Sequence, residues 1–357
     1  MEGPCLGDRI ALETWASKIA VRLSLSSGEV SCPEAPLPLH VLAPRFGYLH
    51  LFARQAFDFF ERFMISQQRY TPYFAYKGLP LPWHIPAGVL YDLLADGEQP
   101  WDIMVHFPTS LPTTLLPWND EEDFKLSPLR DVFFGSLKEA AFICQGTSNA
   151  VNMMDISNRD SLWQSVKSTD WEGYKSSTSS ISLDPVPSQK NCSPPKIPTR
   201  VYLRTGAARL EWREMVKSTS RPVPGKHESE PPTFPTLLET LKDVLPSIPW
   251  YLVSNCSIPA GSVPPGEPAR TAADSTGASA SEAGSREGEP EAAGVSGELQ
   301  GGGGNVQAME AMAARRAVGR VDVLVGGIRP PLETPIAWLH AKMRAPDSFL
   351  YIVVRRE

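Results

Sequence analysis

The segment KGLPLPWHIPAGVLYDLL recurs in weaker form 249 residues downstream as GGIRPPLETPIAWLHAKM. Gly78 falls on Gly327, Leu79 on Ile328, Pro86 on Pro335, Leu90 on Leu339 and Leu94 on Met343, and each copy then reaches a proline and an apolar strand pattern. A supersecondary unit used twice restricts the chain to a duplicated architecture; coincidental turn-plus-helix chemistry is the alternative.

Upstream of the first copy, Ile19, Val21, Leu23 and Leu25 alternate with Ala20, Arg22 and Ser24, the period of a half-buried strand. A second strand is expected at Leu39 to Ala43, an aromatic-rich helix at Tyr48 to Ile65, and a strand at Tyr73 to Tyr76 ended by Gly78. Pro86 suits the first turn of a helix that turns Val89, Leu90, Leu93 and Leu94 inward, and Trp101, Ile103, Val105 and Phe107 close the unit as a strand. In the second copy Ile197, Val201 and Leu203 alternate with Arg200, Tyr202 and Arg204, and Thr236 to Leu245 reads as a short amphipathic helix.

Between the copies Ser127 suits a helix cap with Pro128 at the first position, Phe133, Leu137, Ala140, Ala141 and Cys144 form one stripe, and Gly146 suits the stop. A further helix is expected around Ser161 to Tyr174, then a Ser/Pro-rich linker from Ser176 to Pro195. The stretch from Pro259 to Gly304 has no aromatic residue and is dominated by Gly, Ala, Ser, Glu and Pro, so it is expected to be disordered.

With 357 residues the chain has room for two or three domains. A net charge of -6 gives no field that would draw it to nucleic acid. Five scattered cysteines without a CxxC pair, and no apolar run near the roughly 18 residues of a membrane span, lead to the expectation of a soluble protein in a reducing cytoplasm. The six histidines form no HxH or HxxxH pair, and GxGxxG and GxxxxGK[ST] are absent, so no metal site and no cofactor are expected. A hydrolase assembled from distant residues is a remaining reading, and it predicts loss of activity when one His or Cys is changed.

From Lys196 to Lys226 eight basic residues face two acids. Arg200 and Arg204 are read either as the solvent face of a strand or as a basic patch for anionic lipid headgroups. Lys138 lies among Phe134, Leu137, Ala141 and Phe142 on the helix between the copies. Its ordinary reading is a snorkelling lysine on an amphipathic helix. Its functional reading is an acyl acceptor, since partial desolvation favours the neutral amine that attacks a thioester.

The segments LAPRFGYL from Leu42, YKGLPLPWHIPAGVLYDLL from Tyr76, PWDIMVHF from Pro100, SLKEA from Ser136, LW at Leu162, IPTRVYLR from Ile197, GIRPPLETPIAWL from Gly327 and PDSFLYIVV from Pro346 occur in the order found in the autophagy protein 5 family, which the chain resembles. The resemblance implies an α+β chain of two ubiquitin-like (β-grasp) domains, at 10–108 and 196–355, flanking a helix-rich domain at 120–176, with a linker at 177–195 and a disordered insertion at 257–318. It implies that Lys138 is the acceptor of an isopeptide bond from the ubiquitin-like autophagy protein 12, delivered by E1-like and E2-like enzymes. It implies that the conjugate binds the N-terminal helix of the coiled-coil autophagy protein 16, with Trp15, Lys18 and Arg45 expected in the groove. It further implies E3-like promotion of autophagy protein 8 lipidation at the isolation membrane, where the chain would be peripheral, and a substrate-and-scaffold role rather than catalysis. One departure stands out: Pro222, Pro224, Pro231 and Pro232 interrupt a strand expected near Arg221 to Phe234. The alternative is an adaptor that binds helical partners without being conjugated.

Overall fold

The computed structural model describes residues 6–32, 34–65, 72–118, 126–181, 196–205, 212–219, 234–250 and 321–356. The expected insertion at 257–318, most of the linker (182–195) and the proline-interrupted segment (221–233) lie outside the described residues, as do Cys5, Cys192, Cys256 and His227.

Five strands, β1 (Lys18–Leu25), β2 (Leu39–Pro44), β3 (Tyr73–Tyr76), β4 (Leu79–Pro80) and β5 (Trp101–His106), form the first sheet in the order β2-β1-β5-β3-β4. Central β1 and β5 are parallel, and β2 and β3 are antiparallel to them. The alternation in sequence is the alternation of faces: Ile19, Val21, Leu23 and Leu25 point into the core beside Trp101, Ile103 and Val105.

The second sheet repeats this plan with β6 (Ile197–Thr205), β7 (Trp212–Thr219), β8 (Val321–Val325) and β9 (Leu350–Arg356), ordered β7-β6-β9-β8 with β6 and β9 parallel. The strand paired with β6 is thus Trp212–Thr219, upstream of the proline-rich segment. Both copies of the repeat make the same two-residue turn: φ is +49 and +80 at Lys77 and Gly78, and +57 and +85 at Gly326 and Gly327. Two successive positive φ values give a tight turn whose twist matches the flanking strands, and glycine adopts them without strain. Pro86 and Pro335 stand at the N-cap of α3 (Ala87–Leu94) and of α9 (Ile336–Met343), one residue outside the expected first turn. The short helix α8 (Leu237–Val244) is started by a reciprocal capping box between Thr236 and Glu239.

The segment Tyr48 to Ile65 is not one helix. A 3-10 turn at Leu49–Phe52 leads into α2 (Ala53–Phe60), and a second 3-10 turn follows at Glu61–Phe63. Tyr48, Leu49 and His50 are buried in succession. Three successive residues span roughly 200° of an α-helix, more than one face can hide, so the chain tightens there.

His50 donates from Nε2 to the Pro72 carbonyl at 3.0 Å and stacks on Trp118. Burial lowers its pKa to about 3, although that hydrogen bond works in the opposite direction. The unfolded chain therefore takes up a proton below pH 6.5 while the folded chain does not. The stability held above pH 6.5 falls as the pH drops toward 3, by about 2 kcal/mol between pH 6.5 and 5. Urea midpoints at pH 7 and pH 5 should show this slope in the wild type and a shallower one in His50→Phe; equal slopes would sink the assignment.

Four helices form the intervening domain: α4 (Ser127–Gln145), α5 (Asn149–Asn152), α6 (Ile156–Ser168) and α7 (Trp171–Thr178). Leu126, at φ +62, takes the cap position expected of Ser127, while Gly146 at φ +74 ends α4 as expected. The helix expected at Ser161 to Tyr174 is two helices, because Thr169 turns left-handed at φ +61 and the Asp170 carboxylate caps α7 by accepting from Gly173 N at 3.1 Å. A Cβ at Gly173 would lie 2.3 Å from that carboxylate, so the cap requires glycine there.

One helix, α1 (Leu6–Ala16), has no counterpart in the sequence reading. Its Trp15 enters the core of the helical domain with Phe133, Trp163 and Tyr174, and its Asp8 accepts from Lys342 at 2.9 Å, so α1 ties that domain to the second sheet's α9.

The first domain's α3 is buried along its whole length. Its own sheet covers one side, and Tyr202, Leu324, Tyr351 and Val353 of the second sheet join the same core from the other. A helix with apolar residues on every side needs cover all round, and its one charged residue, Asp92, is paired with Arg45. The second sheet is buried on both faces for the same reason, with Leu237, Leu241, Leu339 and Met343 on its opposite side.

Candidate functional site

Two features of the surface have the makings of a site: the outer stripe of α4 and a groove beside α1. In α4, Leu129, Phe133, Leu137, Ala140, Ala141 and Cys144 face the core. Asp131, Gly135, Lys138 and Phe142, spaced by four, three and four residues, form the opposite stripe. Lys138 is half-buried, and among the described residues no carboxylate pairs with it. The apolar neighbour beside its stem is Phe142, which is 60% exposed; Phe134 is turned inward, with the guanidinium groups of Arg130 and Arg159 within 6 Å of its ring centre.

The neighbouring carboxylate, Glu139, is held elsewhere. Arg200 of β6 donates to it at 3.0 Å and to Ser136 Oγ at 3.3 Å, and its guanidinium lies 4.1 Å from the ring centre of Phe349. Burial disfavours the Arg200 charge, but Tyr351, Asp347, Tyr202 and Glu214 more than offset this, so its pKa is raised. Arg200 thereby fastens α4 to the second sheet.

The reading of Arg200 and Arg204 as a lipid-facing patch does not survive this geometry, and neither does the reading of a solvent face. Arg204 is 2% exposed in its side chain and donates to Asp96 at 2.5 Å, while Arg200 is spent on Glu139. Both positions face the first and helical domains, because the outer face of β6 is an interface.

The groove runs between α1 and the β8–α9 segment. Its apolar part, about 580 Å³, is lined by Ile10, Ile328, Pro330, Pro331, Trp338 and Leu339. A polar extension of about 280 Å³ shares Ile10 and Ile328 and adds Glu13, Lys18 and Arg45. Of the three residues expected there, exposed Lys18 lines the extension. Arg45 lines it with its guanidinium committed to Asp92, and a Cβ at Gly327 would come within 2.4 Å of that group. Trp15 is not in the groove. It is buried in the helical core and donates from Nε1 to the Thr169 carbonyl at 3.0 Å, since it projects from the face of α1 that packs on α7. Sequence reasoning missed Ile10, Ile328 and Trp338. The signal available was Trp338 itself, which falls off the Ile336, Leu339 and Met343 stripe of α9 by helical spacing and is a large apolar residue on the outward face.

Two further histidines are held by local contacts. His340 donates to the Ser348 carbonyl at 3.0 Å, and His106 stacks on Tyr73 and faces Glu29 at 3.3 Å. Among the described residues no His/Cys/Asp/Glu group has the geometry to hold a metal ion, and no helix is long and apolar enough to cross a membrane.

Three family models match in succession: "Autophagy protein ATG5, UblA domain" at residues 14–107, the alpha-helical bundle region of the same family at 127–183, and its UblB domain at 196–354. The chain belongs to the autophagy protein 5 family. A relative from Oryza sativa subsp. indica, "Autophagy protein 5", is 30% identical, with 96% of this chain and 93% of the relative covered. Its namesake in Arabidopsis thaliana is 27% identical over 95% of each chain. The crystal structure of Kluyveromyces marxianus Atg5 superposes with a TM-score of 0.62 over 97% of this chain and 98% of the other, at 18% identity, and so shares the fold. Family membership identifies the two sheets with their helices as the ubiquitin-like domains, sets the helical bundle between them and ties the chain to autophagy.

Proposed function

We propose that this chain is a conjugation scaffold of autophagy, modified at Lys138 by the ubiquitin-like autophagy protein 12. The observation that carries the reading is the setting of Lys138: a half-buried residue on the outer stripe of a 19-residue helix, unpaired among the described residues, in the segment SLKEA that carries the family resemblance. The neutral amine attacks the carbonyl carbon of a thioester carried by an E2-like enzyme that an E1-like enzyme has charged using ATP. The C–S bond breaks, an isopeptide bond forms, and the amine's proton ends on the departing thiolate. This chain contributes position and a partly dehydrated surface, and the conjugating enzyme completes the exclusion of water.

The groove beside α1 suits the N-terminal helix of autophagy protein 16, laid in by its apolar face. The resulting complex acts E3-like in transferring autophagy protein 8 to phosphatidylethanolamine, working in the cytoplasm and peripherally on the isolation membrane. Ile328→Asp should weaken binding of such a helix by about tenfold or more, as expected for a charge placed in the apolar lining of the groove, while leaving conjugation at Lys138 intact. Titration calorimetry beside the conjugation assay reads both, and unchanged affinity would move the helix elsewhere.

The test of the main reading is a reconstituted reaction of the full chain, autophagy protein 12, its E1-like and E2-like enzymes and ATP. A product that survives denaturant and reducing agent supports conjugation. No such product, with helix binding retained, favours the non-covalent adaptor.

A further inference from the structure

Gly135 occupies the middle of the 19-residue α4 and has no structural reason to be glycine. Its φ is not in the left-handed region, and a Cβ built there meets nothing within 4 Å. Most other described glycines have a local cause. Gly78, Gly97, Gly146, Gly326 and Gly327 adopt positive φ, and Gly88 and Gly173 are pressed against Arg45 O at 2.7 Å and the Asp170 carboxylate at 2.3 Å. Gly7 and Gly47 meet the Lys342 side chain and Pro44. Gly28 is also open, but it lies in an exposed 3-10 turn, where glycine costs little. Within a helix, glycine disfavours the helical state severalfold relative to alanine, so Gly135 weakens α4 without a return in packing or backbone geometry.

What Gly135 does is clear one side of Lys138. The two are three residues apart on the same stripe, and helical side chains lean toward the N-terminus, so the Lys138 stem covers the turn that contains Gly135. Phe142, one turn beyond and 60% exposed, leans over Lys138 from the C-terminal side. Approach from that side meets a ring, whereas approach over the Gly135 turn meets no side chain but the stem of Lys138 itself.

We propose that Gly135 is a positioning residue for acyl transfer: its missing side chain leaves a notch through which the extended C-terminal tail of the modifier, held as a thioester, brings its terminal carbonyl to Lys138 Nζ. The inference rests on Lys138 being the acceptor and adds the path by which the acyl group reaches it. An extended peptide needs close backbone approach, which a bare helical turn grants and a branched side chain denies.

The test uses the full chain and an E2-like enzyme pre-charged with autophagy protein 12, followed in single turnover at saturating chain. Gly135→Leu should conjugate at least tenfold more slowly and Gly135→Ala severalfold more slowly, while both melt at or above the wild-type temperature because each favours the helix. A purely structural role would move rate and stability together, so their divergence is the signature. Lys138→Arg runs in parallel. If it is inert and Gly135→Leu reacts at the wild-type rate, the notch is wrong and the acceptor stands. If Lys138→Arg still forms product, the acceptor assignment falls and the notch falls with it.

Discussion

Lys138→Arg should form no conjugate in the reconstituted reaction. Arginine keeps the positive charge and the apolar stem, and the half-exposed site leaves it room. Its guanidinium is protonated at any pH the folded chain tolerates, so it offers no lone pair to a thioester carbonyl. Because Lys138 makes no ion pair among the described residues, the substitution should change folding stability by no more than about 0.5 kcal/mol. The measurement is a denaturing gel beside a urea melt. Loss of the shifted band with an unchanged midpoint separates chemistry from folding, and a band of wild-type intensity would place the bond on another lysine.

Asp96→Ala should cost about 3–5 kcal/mol of stability and loosen the two ubiquitin-like domains from one another. Asp96 ends the turn after α3 at φ +50 and accepts from Arg204 at 2.5 Å and Arg355 at 3.3 Å, both reaching across from the second sheet. Arg355 continues to Asp322, which also accepts from Arg329 at 2.6 Å. The side chains of Arg204 and Arg355 are 2% and 7% exposed, so removing Asp96 strands a guanidinium in a place water barely reaches. About 1 kcal/mol of the loss belongs to alanine at positive φ, which aspartate tolerates better. The reverse change, Arg204→Met, leaves Asp96 half-exposed and able to hydrate, and should cost under about 1.5 kcal/mol. Urea denaturation of both variants tests the asymmetry; equal costs would mean that the pair is not what holds the domains.

These two positions differ in how much of their setting could be read in advance. The core stripe of α4 and the place of Lys138 beside Phe142 were legible because helical spacing is a local property, but Phe134, Leu137 and Ala141, set around Lys138 in the sequence reading, turn into the core. The partner of Glu139 lies 61 residues away on β6, and that of Asp96 lies 108 residues away. Arg200, Tyr202 and Arg204 alternate with apolar residues as a solvent-facing row does, yet they face other domains, since polarity alone does not distinguish water from an ion-pair partner. Trp15 was assigned to a groove that it does not line, because α1 was not recognised and its faces could not be told apart.

The sequence by itself determined the duplication, the strand alternation, the positive-φ turns at Gly78 and Gly327, and the place of Lys138 on its helix. Each follows from backbone sterics or hydrogen-bond periodicity acting over a few residues. Only the tertiary structure decided that α3 is covered on both sides, that β6 has no exposed face, and that α1 and α9 enclose a groove. Those outcomes depend on which surfaces meet after segments more than 300 residues apart in the chain, such as Ile10 and Ile328, are brought together. Apolar area drives the docking and buried charge selects the register, and neither has a period that can be counted along a chain.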